Sequence, residues 1–345
     1  MKLVTINPQK STTMGGVETL IRSLHSLFEC ENYELYQFEP EKEHYAESTN
    51  VQYLKYGSGN KVAAKLSQID AVRKLQLCAE DVVVLFHPND LLYLPRQVLK
   101  NSKVILVQTN KFSVFFKPFS KVIMALLQSQ IDLFTVYTDQ DKKALATLFP
   151  RLSQKVKVIP RGCKLSTANE AQQLSKRLVT IARIDEEQKN FSAMIDVVNK
   201  LPAGYQLDIY GDGRESEVNA LIQLVEGNDN VQFKGPTSDV ANTLKNYAAF
   251  IMTSRYEGFG QTLIEARSQG LPIVAYQTFD ALPWIVEEGV NGYRVLEGDS
   301  ARFAERIIDI CSDAERYNTL SNNALNKAKE TEIEVVNQLW QEAVA

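Results

Sequence analysis

The chain has 345 residues, of which 44% are hydrophobic and 23% charged. This composition is typical of a globular protein large enough for two domains. Its 4 cysteines are scattered with no CxxC pair, which argues against a disulfide framework or a zinc site and favours a reducing cytoplasm. No window approaches the roughly 18 apolar residues that a membrane helix needs.

Charge is divided unevenly along the chain. Residues 1–165 contain 22 Lys+Arg and 15 Asp+Glu, a balance of +7, whereas residues 166–345 contain 16 and 27, a balance of −11. Most of the positive excess lies between Arg96 and Lys164. Halves of opposite sign indicate two domains with different partners.

Short apolar runs alternate with helical patterns in both halves. Many of the runs lack polar alternation, which is typical of parallel strands covered on both faces. The first half contains KLVTI, DVVVLFHP, KVILVQT, LFTVYT and VKVIP, and the second RLVTIAR, YQLDIYG, VQFKG, AFIMTS and LPIVAY. We predict two doubly wound α/β domains, at 1–165 and 166–330, joined by the polar segment CKLSTANEAQQLSKR. One last amphipathic helix is expected over SNNALNKAKETEIEVVNQLWQEAVA.

Ligands of open parallel sheets bind at the carboxyl ends of the strands. After the first strand, Gly15 and Gly16 precede a helix whose free N–H groups suit an anion or a hydroxyl. A purely structural turn is the alternative. The absence of GxGxxG from this turn argues against a dinucleotide dehydrogenase.

Two cations follow the strand RLVTIAR in the second half. Arg183 and Lys189 could neutralise a pyrophosphate without a metal ion, or they could pair with the acidic residues 185–187. After the strand YQLDIYG, Gly211 begins a tight turn, which indicates either a ligand edge or a sharp connection.

The stretch SRYEGFGQTLIE leaves the strand AFIMTS. Ser254 ends the strand, Glu257 lies in the loop, and a helix is expected to begin near Gly260, where its N-terminus suits phosphate oxygens. Glu265 lies further along that helix, where its carboxylate can accept bonds from ribose hydroxyls. The arrangement fits a nucleoside-diphosphate sugar, although two glutamates at this spacing also arise by chance.

The ordered segments GGVETL, ARIDEEQKN, IYGDGRE, FKG, SRYEGFGQTLIEA and LPIVAY…EEGVNGYRVLEGD resemble the retaining glycosyltransferases of family 4. The resemblance implies the GT-B architecture, with two Rossmann-like domains facing across a cleft. It also implies that the C-terminal helix, about 331–345 and containing Trp340, crosses back to pack on the first domain.

The resemblance also implies residue roles. Arg183 and Lys189 would bind the donor diphosphate, Glu257 the transferred sugar and Glu265 the ribose. The first domain would close on the donor through its glycine loop. The implied donor site comprises Gly15, Gly16, Gly211, Ser254, Gly258, Phe259, Gly260, Gln261, Thr262 and Glu265.

The chain departs from the family pattern at three places. Gln108-Thr109-Asn110 stands where members commonly have a histidine, and glutamine does not titrate near neutrality. Arg161 replaces a usual asparagine, and Pro283-Trp284 replaces a common acid. The acceptor-side candidates are His87, Gln108, Asn110 and Lys111.

Two further patterns bear on ligands. Asp139-Gln140-Asp141 has the spacing of a metal-binding pair, but an N-cap and a first-turn acid explain both residues, so no metal is predicted. Lysines alternate with phenylalanines in 111–124, which is typical of a segment on an anionic membrane or a mouth for a lipid-linked acceptor. Packing of these phenylalanines inside the first domain is the alternative, and no motif favours nucleic acid.

We therefore predict a cytoplasmic, metal-independent, retaining glycosyltransferase, with peripheral attachment to the inner face of the membrane as a further expectation. It would use a nucleoside-diphosphate sugar, UDP being favoured, in bacterial-type surface polysaccharide or glycoconjugate synthesis. The acceptor would be a glycan, a lipid-linked molecule or a protein. A sugar-nucleotide epimerase and a non-catalytic nucleotide-sugar-binding subunit are the alternatives.

Overall fold

The computed structural model describes residues 1–57 and 61–345. The chain divides into two compact units, one of 1–161 with 336–345 and the other of 162–335. The boundary predicted after residue 165 lies just beyond the first of these limits.

The first unit contains one parallel sheet with helices between its strands. Its strands are β1 (Lys2–Ile6), β2 (Glu31–Tyr36), β3 (Val51–Lys55), β4 (Val82–Leu85), β5 (Lys103–Val107), β6 (Leu133–Val136) and β7 (Val156–Val158). Its helices are α1 (Gly16–Leu27), α2 (Lys61–Lys74), α3 (Arg96–Asn101), α4 (Phe112–Phe115), α5 (Pro118–Leu127) and α6 (Asp139–Leu148), with 3₁₀ turns at Pro88–Tyr93, Gln128–Gln130 and Pro150–Lys155. The strand order is β3-β2-β1-β4-β5-β6-β7.

The second unit repeats this plan. Its strands are β8 (Arg177–Ile181), β9 (Gln206–Tyr210), β10 (Val231–Gly235), β11 (Ala249–Met252), β12 (Ile273–Tyr276) and β13 (Gly292–Val295), in the order β10-β9-β8-β11-β12-β13. Its helices are α7 (Glu186–Lys189), α8 (Phe191–Asn199), α9 (Glu215–Val225), α10 (Val240–Leu244), α11 (Gln261–Ser268), α12 (Leu282–Ile285), α13 (Ser300–Cys311) and α14 (Ala314–Ala328), followed by a 3₁₀ turn at Lys329–Thr331. The last helix, α15 (Ile333–Val344), belongs to the first unit from residue 336 onward. The predicted class, two doubly wound Rossmann-like domains, is confirmed.

All strand pairs in both sheets are parallel. The central strands β4, β11 and β12 are buried along their whole length. Parallel strands covered by helices on both faces have no solvated side, so their sequences read as continuous apolar runs. This is why those strands are recognisable from the sequence.

The predicted single last helix is wrong. The chain forms α14, a 3₁₀ turn and then α15, because Glu332 is extended and forms an isolated bridge with Cys163. The N–H of Cys163 donates to the carbonyl of Thr331 at 2.7 Å. Beyond the break, Val336 and Trp340 of α15 lie in a core cluster with Leu3 and Ile21 of the first unit.

Candidate active site

Two glycines shape the strand end that carries Arg183. A Cβ on Gly211 would lie 1.8 Å from the carbonyl oxygen of Ala182, and one on Gly213 would lie 2.4 Å from that of Ile184. The backbone at 211–213 therefore lies directly against the backbone at 182–184, with Ile184 and Gly213 forming a bridge. This contact alone accounts for both glycines, so a donor-binding role for Gly211 stays a prediction.

Arg183 lies at the surface beside the short helix α7. Its side chain is 64% exposed, and its Nη2 donates to Gln188 Oε1 at 2.7 Å and Asp185 Oδ2 at 3.4 Å. Asp185 also caps α7 by accepting from the N–H of Gln188. The expected alternative, pairing with a neighbouring acid, is thus present, but the exposed guanidinium has further N–H groups to offer to an anion.

Lys189 pairs with Glu257 across two strand ends. Its Nζ lies 2.5 Å from Glu257 Oε1, and the side chains are only 13% and 11% exposed. The partner of Lys189 is therefore the glutamate after β11, not the acidic residues beside it in the chain. The pair brings together two residues that the sequence assigns to neighbouring parts of one substrate.

Arg255 is a residue that the sequence interpretation missed. Its Nη1 donates to the carbonyl oxygens of Glu186 and Glu187 at 2.8 and 3.0 Å, and its Nη2 donates to Asn190 Oδ1 at 2.7 Å. These bonds fasten the loop after β11 to α7. The available signal was a cation directly after a buried strand.

The glycine loop after Glu257 turns sharply into α11. Gly260 caps the helix in a left-handed conformation, with φ of 97°; the expected helix start near this residue is confirmed. The ring of Phe259 is buried and packs on Trp284, with centroids 5.9 Å apart. The carbonyl of Ser254 accepts from Thr278 Oγ1 at 2.6 Å. Trp284, which stands where the family commonly has an acidic residue, therefore packs against the ring of Phe259 in this loop.

Glu265 is partly buried on α11. Burial raises the pKa of its carboxyl group to about 7, and a hydrogen bond from Gln261 opposes this shift. Gln261 Nε2 lies 3.5 Å from Glu265 Oε1 and donates to the carbonyl of Gly162 at 3.1 Å. A ligand that donates hydroxyl groups to this carboxylate would favour its charged form.

The carboxylate of Glu18 lies against the glycine turn, Gly15-Gly16, of the first unit. α1 begins at Gly16, and a Cβ on Gly15 would lie 1.9 Å from Glu18 Oε2. Asn7 Nδ2 donates to Glu18 Oε1 at 3.1 Å, while Arg161 Nη1 donates to the carbonyl of Gly16 at 3.0 Å. Burial raises the pKa of Glu18. Arg161, another departure from the family pattern, thus braces this turn.

The acceptor-side candidates lie after β4 and β5 of the first unit. His87 caps the turn Pro88–Tyr93, with its Nδ1 accepting from the N–H of Asn89, and burial lowers its pKa. Gln108 is buried, donates to Asp141 Oδ1 at 3.1 Å and accepts from the N–H of Tyr137 at 3.3 Å. Its amide therefore connects β5 to β6 and α6 within the protein.

Asn110 and Lys111 continue that loop into α4. Asn110 Oδ1 accepts from the N–H of Lys111 at 2.8 Å, and Lys111 is the N-cap residue of α4. Both residues are half-buried. Both residues lie in the loop after β5, as predicted. That they bind the acceptor stays a prediction.

Asp139 and Asp141 lie in the first turn of α6, but the predicted N-cap is wrong. Thr138 caps the helix, with its Oγ1 accepting from the N–H of Asp141, because the chain is still extended at Thr138. Asp141 is buried and accepts from Thr138 Oγ1 at 2.7 Å. Within 1–57 and 61–345, no group of three or more His, Cys, Asp or Glu side chains is arranged to hold a metal ion.

The phenylalanines of the segment 111–124 are partly buried inside the first unit and partly exposed, so each of the two interpretations holds for some of them. Phe112, Phe115 and Phe116 are buried in the core of the first unit, whereas Phe119 on α5 is 59% exposed. No helix among the described residues is both long enough and apolar enough to cross a membrane.

Residues 165–327 match the family model described as Glycosyl transferases group 1. The match covers nearly all of the second unit and less than half of the whole chain, so the second unit is similar to this family.

Two named relatives each align with less than half of the chain. The GtfA subunit of the UDP-N-acetylglucosamine–peptide N-acetylglucosaminyltransferase of Streptococcus pneumoniae is 30% identical over 48% of this chain and 34% of its own. The lipopolysaccharide core biosynthesis glycosyltransferase LpsE of Rhizobium meliloti is 31% identical over 46% of this chain and 44% of its own. The chain thus spans less than half the length of both relatives in these matches.

A solved structure extends the likeness to both units. HepE of Anabaena, solved in complex with UDP, is 17% identical and superposes with a TM-score of 0.80 over 100% of this chain and 99% of its own. At this identity the likeness shows a shared fold. The molecule therefore belongs to the GT-B structural class, in which two Rossmann-like domains occur in one chain.

Proposed function

We propose that the protein transfers a sugar from a nucleoside-diphosphate sugar to a hydroxyl group of an acceptor, with retention of anomeric configuration and without a metal ion. The observation that carries the proposal is the grouping of Arg183, Lys189, Glu257 and the start of α11 at one edge of the second sheet. Two cations and a helix N-terminus are groups that bind a diphosphate, and their presence at one edge of the sheet supports the proposal.

The proposed reaction follows from these charges. The acceptor oxygen bonds to the anomeric carbon on the face from which the bond to the diphosphate oxygen breaks, and the hydroxyl proton passes to that departing oxygen. Arg183 and Lys189 stabilise the charge that develops on the diphosphate. Glu257 accepts hydrogen bonds from the sugar. Its ion pair with Lys189 also holds the ammonium group of Lys189 in position.

We assign the donor nucleotide as UDP and the acceptor as a glycan, a lipid-linked molecule or a protein. The name of the pneumococcal relative contains a UDP-sugar and a peptide acceptor, LpsE is named for lipopolysaccharide core synthesis, and HepE was solved with UDP. These names support an enzyme of surface polysaccharide or glycoconjugate synthesis, and we propose that it acts in the cytoplasm. Assignment to family 4 rests on the sequence resemblance.

The first experiment measures binding and then transfer. A thermal-shift series with UDP-, GDP- and ADP-sugars identifies the donor, because a ligand stabilises the state that binds it. With that donor, Arg183→Ala and Lys189→Ala should each lower kcat/KM by about a hundredfold or more, in the presence of EDTA as in its absence. Arg302→Ala and Lys327→Ala, which remove paired cations elsewhere in the second unit, are the matched controls.

Several outcomes would contradict the proposal. Normal turnover by Arg183→Ala or Lys189→Ala would overturn the diphosphate assignment, and loss of activity in EDTA would overturn metal independence. Mass analysis of the products separates transfer from its rivals. An isomerised donor without acceptor indicates an epimerase, and an unchanged donor with every acceptor class indicates a binding subunit.

A further inference from the structure

Helix α5 exposes a row of apolar side chains on one face. Phe119, Val122 and Leu126 are 59%, 56% and 73% exposed, and their spacing of three and four residues places them on one side of the helix. Ile123 and Met124 are buried on the opposite side. The helix therefore has a second apolar face that the first unit does not cover.

Two other elements of the first unit also expose apolar side chains. The turn Pro88–Tyr93 packs against both α5 and α2. Leu92 of the turn is 41% exposed, and Val62 and Leu66 of α2 are 70% and 63% exposed. We call these six side chains, three on α5 and three on its neighbours, the apolar patch.

The charge around the apolar patch is positive. Residues 91–131 contain no acidic residue and six basic ones. Lys117 and Lys121 flank the row on α5 and are exposed. Two acids bound this segment in the chain: Asp90 is buried and pairs with Lys65 at 3.3 Å, and Asp132 accepts from the N–H of Val104 at 2.8 Å. A partner for this surface must therefore be apolar within and anionic at its rim.

We propose that the apolar patch docks on an anionic lipid bilayer. Apolar side chains would enter the boundary between headgroups and acyl chains, while Lys117 and Lys121 reach the lipid phosphates with their aliphatic stems lying along the apolar surface. A protein partner is less suited, because the apolar side chains are spread over three elements among lysines, which are depleted in protein interfaces.

The position of the apolar patch adds a consequence for the acceptor. The turn Pro88–Tyr93 directly follows His87, and α5 follows the loop of Asn110 and Lys111, so the patch borders the carboxyl edge of the first sheet. A bilayer at the patch would present a lipid-linked acceptor to that edge. This consequence rests on the proposed function, whereas the docking itself does not.

Vesicle co-sedimentation tests the docking with the full chain. The protein should bind vesicles of equal phosphatidylglycerol and phosphatidylcholine, and should leave pure phosphatidylcholine vesicles largely unbound. Val122→Glu/Leu126→Glu should lower the partition coefficient on anionic vesicles by about tenfold or more, and Lys117→Ser/Lys121→Ser by on the order of tenfold. Leu224→Glu/Leu296→Glu, at two exposed positions of the second unit, should bind as the wild type does.

The outcomes separate the docking from the catalytic proposal. A wild type that ignores anionic vesicles, or variants that bind them equally well, would overturn the docking. If vesicles are ignored and Val122→Glu/Leu126→Glu instead dissolves a self-complex seen by light scattering, a protein surface replaces the bilayer. Donor binding is measured without vesicles. A protein that binds vesicles but no nucleotide sugar would retain the docking and lose the proposed function.

Discussion

The carboxyl edges of the two sheets use their polar residues in opposite ways. In the second sheet, the ends of β8 and β11 bring Arg183, Lys189 and Glu257 together. In the first sheet, Gln108 uses its amide to join neighbouring elements, and Glu18 lies over the start of its own helix. A position at the end of a parallel strand therefore does not by itself make a polar residue available to a ligand.

The two helix starts after glycine turns make the same contrast. α1 has Glu18 in its first turn, close enough to meet a Cβ on Gly15. α11 has no acidic residue in its first turn, so no carboxylate of that turn opposes an incoming phosphate. We therefore expect the second unit to supply most of the donor binding energy.

The largest effect expected from this contrast is on the Lys189–Glu257 pair. Lys189→Met leaves a carboxylate with little solvent and no cation, and should lower the free energy of unfolding by about 3 kcal/mol. Lys189→Met/Glu257→Gln should recover most of that loss, since the charge is then gone. Urea unfolding measures both variants.

An exposed pair is the control for this experiment. Lys74 and Asp70 on α2 lie 2.7 Å apart, but their side chains are 75% and 61% exposed. Lys74→Met should change stability by less than about 0.5 kcal/mol. Equal losses at Lys74 and Lys189 would show that the buried pair has no special weight.

The glycines provide a second, smaller test. Gly260→Ala forces a side chain into a left-handed conformation, with its Cβ 3.1 Å from the ring of Phe279, and should cost about 2 kcal/mol. Gly15→Ala meets only the mobile end of Glu18 and should cost less than about 1 kcal/mol. At Gly16 a Cβ has nothing within 4 Å, and alanine should be neutral. The reverse order in chemical denaturation would contradict the comparison of the two turns.

The smallest effect is the pH dependence that Glu265 contributes. Burial raises its pKa from 4.5 to about 7, so the folded state favours the neutral acid. This contribution is present in full below pH 4.5 and is lost as pH rises through 7. Partial exposure reduces the loss to on the order of 1 kcal/mol.

Glu265→Gln isolates this effect. The difference in unfolding free energy between the wild type and the variant should fall by that amount between pH 4.5 and pH 8, as measured by urea titrations. Parallel stability curves would show that the carboxyl group does not titrate in this range. Calorimetry in two buffers sharpens the result: if ribose hydroxyls bond to the carboxylate, donor binding near pH 7 releases protons from the wild type and not from the variant.

Strands made only of apolar residues can be predicted from the sequence, whereas a strand that contains a buried charged residue can escape prediction. β4 and β11 are apolar throughout and were recognised. β2, with the sequence ENYELY, was not, because Glu34 lies fully buried within it. Its carboxylate accepts from the N–H and the Oγ of Ser11, both at 2.5 Å. Ser11 belongs to a loop 23 positions away, so the sequence of β2 itself does not indicate that Glu34 has a buried partner.

The residues of the candidate site could be predicted from the sequence because the strands that precede them are recognisable. Arg183, Lys189 and Glu257 each follow a recognisable buried strand, so topology alone brings them to one edge. Their pairing was not accessible, because the 2.5 Å contact between Lys189 and Glu257 joins residues that are distant in the chain. The same holds for Arg255, because two of its partners are backbone carbonyls, which residue types do not reveal, and the third is the side chain of Asn190, 65 positions away.

Gly211 has a consequence for how this protein would respond to random mutation. Every side chain larger than hydrogen at this position meets the carbonyl of Ala182, so selection for activity should reject all substitutions there. A tolerance map would then mark Gly211 as strongly as it marks Arg183, although one is intolerant through backbone packing and the other through the proposed chemistry. Scoring the same library for folded protein as well as for activity would separate the two kinds of intolerance.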